Sequence, residues 1–79
     1  AIAESAAIRR LELEIYRQSL FLPTTSRMRH EHQLDAGKAY TERGGNGPGH
    51  VRCQQLEDDY RHRLDTDDWN YRPHHAPHN

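Results

Sequence analysis

Apolar residues along this chain fall into one dense block and two sparse ones, and their spacing predicts three helices. The dense block runs from Ile8 to Leu22. At about 100° per residue, its side chains divide into two rows. Ile8, Leu11, Ile15 and Leu22 share one face, and Leu13, Tyr16 and Leu20 share another, about a third of a turn away. A helix packed on one side needs a single row. Two rows predict contact on two sides: a central helix sandwiched by the two later helices, or one face on this chain and one on something else.

The limits of the three helices follow from local chemistry. The first is expected to begin near Glu4, with Ser5 as N-cap, and to end before Pro23, which pushes its predecessor out of the α region. Thr24, Thr25 and Ser26 offer capping hydroxyls for a second helix over 27–42. Its apolar content is thin. Met28, Ala36, Ala39 and Tyr40 share a broad face, Leu34 lies off it, and Gly37 weakens the helix by about 1 kcal/mol relative to alanine. Positions 44–49, GGNGPG, form a loop, with Gly44 suited to a left-handed C-terminal cap. Over 50–64, the spacing of Cys53, Leu56, Tyr60 and Leu64 is three, four and four, a single stripe on a third helix. Trp69 to Pro73 reads as an extended segment whose Trp69 and Tyr71 pin it onto a surface, and His74 to Asn79 reads as a frayed end. The expected fold is all-α, an antiparallel three-helix domain over 1–68 followed by an aromatic, His-rich tail over 69–79.

Composition sharpens this picture. Val, Ile, Leu and Phe supply 12 of 79 residues, about 15%, under the roughly 20% below which chains of high net charge lose a stable core. The net charge here is only −1, and the one cysteine, Cys53, closes no internal disulfide. So small a core predicts a folder helped from outside, which favours a subunit or adaptor over a free-standing enzyme. The balanced charge argues against nonspecific nucleic-acid binding, which draws its affinity from phosphate neutralisation. No apolar run approaches the roughly 20 residues of a membrane span, and no basic flank followed by an apolar block marks a secretory signal.

At Ile15-Tyr16-Arg17, followed by Leu20, the chain resembles the LYR-motif family of small mitochondrial proteins. That family carries Leu-Tyr-Arg in its first helix, an apolar residue four positions after the tyrosine, and a Phe near the end of its second helix, where Tyr40 stands here. The resemblance covers roughly 8–65 and implies a three-helix accessory or assembly protein of the mitochondrial matrix or the matrix side of the inner membrane. It also implies pairing with an acyl carrier protein whose acyl-phosphopantetheine enters between the helices. No cofactor would be bound directly. On this reading Leu13, Ile15, Tyr16, Arg17, Leu20 and Tyr40 meet the partner or its acyl chain, while Arg27, Arg29, Lys38 and Arg43, with Arg17, meet acidic side chains on it.

The remaining chemistry is weaker. Seven histidines invite a metal, yet His30 and His32 diverge on a helix, and solvent-facing histidines are the expectation. His74, His75 and His78 offer a weak chelating alternative. His50 and Cys53 could form a base and nucleophile, but Cys53 belongs to the apolar stripe and reads as a buried structural thiol. The acidic pairs Asp58–Asp59 and Asp67–Asp68 read as solubilising charges, since catalytic carboxylates need an enclosing pocket. The expected function is a non-enzymatic accessory subunit or assembly factor of a larger complex. The alternative is a small structural subunit of an oligomeric enzyme, cytoplasmic in that case, with its His-rich tail near the catalytic subunit.

Overall fold

The computed structural model describes residues 2–71, which form three α-helices: α1, Ile2–Leu20, α2, Arg27–Glu42, and α3, Pro48–Thr66. Among the described residues there is no strand, and no helix is long and apolar enough to cross a membrane. The all-α expectation holds. Neighbouring helices run antiparallel, as Gln33 beside Leu20 and Arg43 beside Glu12 show for α1 and α2. His30 beside Leu56 and Gly37 beside Cys53 show the same for α2 and α3.

Several local expectations need correction. α1 starts at Ile2, so Ser5 lies inside the helix and is not its cap. Ser26 does cap α2, its Oγ accepting from the Arg29 amide at 3.1 Å. Gly44 follows α2 at φ +84°, the left-handed position that a glycine enters without Cβ strain. α3 begins two residues earlier than its apolar stripe, because Pro48 is pre-set for a first helical position and its missing N–H costs nothing there. It ends at Thr66, capped by Asp67 at φ +52°.

The central helix is α2, not α1: α2 packs against both neighbours, while α1 and α3 touch little. The core is small. Leu20, Ala36, Tyr40, Cys53 and Leu56 are buried, with Leu13, Tyr16 and Leu34 partly buried against them. Met28, expected on the buried face of α2, is 68% exposed, and Leu64 of the α3 stripe is also exposed. The face of α2 that is buried carries His30, Gln33, Ala36, Gly37 and Tyr40. Those positions are spaced for one helical face, but two are polar, so an apolar count passes over them. Tyr40 fits because two glycines make room: a Cβ on Gly45 would run into its ring, and one on Gly49 would lie 2.7 Å from its hydroxyl.

Candidate functional site

A helix leaves its last carbonyls without partners, and here side chains from α2 and α3 satisfy those of α1. Gln33, fully buried, donates to the carbonyls of Ser19 at 3.0 Å and Leu22 at 2.8 Å. Arg52 donates to the Leu20 carbonyl at 2.9 Å and to Thr24 Oγ1 at 3.2 Å, and Thr24 in turn donates to Gln33 Oε1 at 2.6 Å. The guanidinium also sits where the helix dipole favours a cation. This clamp joins all three helices.

A second polar cluster fixes the chain after α3. His30, with no exposed surface, places Nε2 2.8 Å from the Leu56 carbonyl and Nδ1 2.8 Å from the Tyr71 hydroxyl. A carbonyl only accepts, so Nε2 carries a proton, and in the neutral ring Nδ1 accepts from Tyr71. The Asp59 carboxylate stands 3.9 Å from Nδ1, and the rings of Tyr60 and Tyr71 meet the imidazole edge-on. Arg63 binds Asp59 at 2.8 Å, donates to the carbonyls of Asp68 and Asn70, and stacks 3.8 Å from the centre of the Tyr71 ring. Arg27 stacks 3.9 Å from the Trp69 ring. Thus Trp69 and Tyr71 are both half-buried against α2 and α3, strapped across them by two cation–π contacts.

Ionisation follows the packing. Burial pushes the Tyr71 phenol above its ordinary value, against the opposing pull of Arg63. The Tyr60 hydroxyl at 2.6 Å, aided by Arg27, holds the Glu31 carboxyl below the usual carboxylate range. Burial raises the Cys53 thiol, the opposite of what a nucleophile paired with His50 requires. Among the described residues no group of three His, Cys, Asp or Glu could hold a metal ion. His74, His75 and His78 lie outside the described residues. The expectation of solvent-facing histidines fails at His30, because the ring supplies a donor to a mid-helix carbonyl and an acceptor to the strap.

The residues singled out from the LYR resemblance divide. Leu13, Tyr16, Leu20 and Tyr40 come together in the core, with the Arg43 guanidinium 5.1 Å from the Tyr16 ring. Ile15 and Arg17 face outward, Arg17 beside Glu14 at 3.7 Å and over the Phe21 ring. Arg29 and Lys38 are exposed, while Arg27 and Arg43 already hold internal partners.

The other row of α1 meets nothing in this chain. Ile8 is 59% exposed, Leu11 64% and Ile15 64%, and Leu22 and Phe21 continue the apolar surface past the helix end. Every side chain from Ser5 to Leu11 is exposed, so this end of α1 projects past the α2–α3 hairpin. Beside Ile15 a shallow groove opens between α1 and α2, floored by Tyr16 and Ala36 and edged by His32 and Asp35. Beyond the helix end, Phe21, Leu22 and Pro48 line another. No protein-family model, curated protein or solved structure matches this chain.

Proposed function

We propose that this chain is a non-enzymatic helical docking subunit, an accessory part of a larger assembly that engages its partner through α1. The observation that carries this reading is the exposed row Ile8, Leu11 and Ile15, three large aliphatic side chains at 59–64% exposure on one face. Isolated apolar residues on a surface need no explanation, but a contiguous row at helical spacing is what helix-in-groove recognition uses. Burying each of these side chains in a partner contributes about 1.5–3 kcal/mol of transfer free energy before the costs of association. Nothing within the described chain recovers it. The test is native mass spectrometry of the tagged chain purified with its partners, beside an Ile8→Glu/Leu11→Glu variant. The wild type is expected to carry a stoichiometric partner and the variant to lose it, with helical circular dichroism unchanged. A wild-type chain that purifies as a ligand-free monomer at all working concentrations overturns the reading.

A sharper form is favoured by one arrangement: Leu13, Tyr16, Leu20 and Tyr40 converge inside the bundle, where the LYR resemblance would admit an acyl chain. In that form the partner is an acyl carrier protein in the mitochondrial matrix, and exposed Arg29 and Lys38 meet its acidic surface. A co-purified partner with a mass shift for acyl-phosphopantetheine would support it. A partner without that group would sink it and leave the docking role intact.

A further inference from the structure

We infer that the α1 face is covered by a second copy of this chain, the two α1 helices lying antiparallel about a two-fold axis beside Leu11. This rests on the docking reading and names the occupant of that same face. Two observations carry it, the order of charges beside the apolar row and the overhang of α1.

At about 100° per residue, Arg9 and Glu12 flank the row on the side of α2, and Arg10 and Glu14 flank it on the other. All four are exposed or half-exposed. In an isologous antiparallel pair, the same flank of both helices comes together with the chain direction reversed. With the axis beside Leu11, the two Leu11 side chains meet, and Ile8 of each copy faces Ile15 of the other. Arg9 then approaches Glu12 of the second copy on one flank, and Arg10 approaches Glu14 on the other. Four interchain ion pairs form from two residue types, each placed once per chain. A parallel pair would instead set Arg9 on Arg9 and Glu12 on Glu12, which like-charge repulsion opposes. Glu12 also lies 3.6 Å from Arg43, and Glu14 3.7 Å from Arg17, within the same chain. Both are exposed surface pairs, which hold their geometry weakly, and a carboxylate has room to accept from two guanidinium groups.

The overhang supplies the area. The α2–α3 hairpin packs only on the later part of α1, from Glu12 onward, so antiparallel pairing puts the two hairpins at opposite ends of the helix pair without collision. The projecting end of each α1 then lies beside the other copy's groove at Ile15, Tyr16 and Ala36, with Ile8 at its mouth. A single-helix strip is smaller than the standard interface of about 800 Å² per partner, so a reversible dimer is expected.

Sedimentation equilibrium of the full chain, from about 5 to about 500 μM, the range suited to an interface of this class, tests it. The wild type is expected to move from monomer to dimer across that range. Leu11→Glu should weaken association at least about tenfold, as should Arg9→Glu/Arg10→Glu and Glu12→Arg/Glu14→Arg separately. Mixing the last two variants should restore association as a heterodimer. Chain direction is read by cross-linking: Ile8→Cys and Ile15→Cys chains should form a disulfide when mixed and not when alone. A wild type that stays monomeric throughout overturns the inference, as does a dimer that survives Leu11→Glu or an Ile8→Cys chain that cross-links to itself. A monomer in this assay leaves the docking role standing, since that role is judged by the co-purified partner; a dimer that co-purifies with nothing else confirms this inference and removes the larger assembly.

Discussion

The exposed face of α1 and the interior against α2 reverse the usual placement of residue types. The face holds Ile8, Leu11 and Ile15 in water, while the interior buries Gln33 and His30 completely. Polar groups can be buried at low cost only when paired, and both are: Gln33 by the carbonyls of Ser19 and Leu22, His30 by Leu56 and Tyr71. The contrast teaches that this chain closes its own fold largely by directional bonds and reserves aliphatic surface for something else. Substitutions in the two regions should therefore differ in kind.

The largest effect is expected at Gln33→Leu, which removes the donor to the end of α1. Leaving a buried polar group unpaired costs about 1–3 kcal/mol, and more than one carbonyl loses its partner, so about 3 kcal/mol or more should be lost. For a domain of this size that is a large share of total stability, and urea unfolding followed by circular dichroism should show a melted or much weakened helix signal. An unchanged midpoint would break the comparison from the interior side.

Next comes His30→Ala, expected to cost about 2–3 kcal/mol through the lost bonds and the cavity left among Tyr60, Tyr71 and Leu56. Trp69, the chain's single tryptophan, reports separately whether the strap has detached, through a red shift of its emission.

A smaller, pH-dependent effect sharpens the same point. Because burial raises the Tyr71 pKa, the folded state holds the phenolic proton more tightly than the unfolded one. That contribution is complete below tyrosine's ordinary value of about 10 and is lost as pH rises through the folded value. The wild type should thus release the strap in alkaline solution, and Tyr71→Phe should flatten the alkaline loss relative to the wild type. An identical alkaline profile in both would show that another group is responsible.

The smallest effect is expected on the other region. Ile8→Ser and Leu11→Ser should change monomer stability by under about 0.5 kcal/mol, the range of ordinary surface positions, while abolishing partner binding. A loss of several kcal/mol in dilute solution would mean the row is already covered within the chain, and the distinction between the two regions would fall.

Much of this fold was legible from residue order. Three helices, the break at Pro23, the Ser26 cap and the left-handed Gly44 each follow from a local rule about dihedral freedom or orphan backbone groups. The two rows on α1 were equally plain, since 3.6-residue periodicity needs only the order of side chains. The assignment of α1 as the sandwiched helix failed because that periodicity says which residues share a face, not which face meets a neighbour. His30 and Gln33 were missed because a polar residue carries no sign of burial until its partner is known. For His30 the partners lie 26 and 41 positions away.

Sequence by itself therefore determined the helices, their ends and the existence of two faces on α1, all properties of backbone sterics and local hydrogen bonding. Only the tertiary structure decided that Leu13, Tyr16 and Leu20 turn inward while Ile8, Leu11 and Ile15 stay in solvent. The reason is that Gln33 and Arg52 must reach the terminal carbonyls of α1. Those directional bonds orient the helix about its own axis, and hydrophobicity, which has no direction, does not choose between two similar rows.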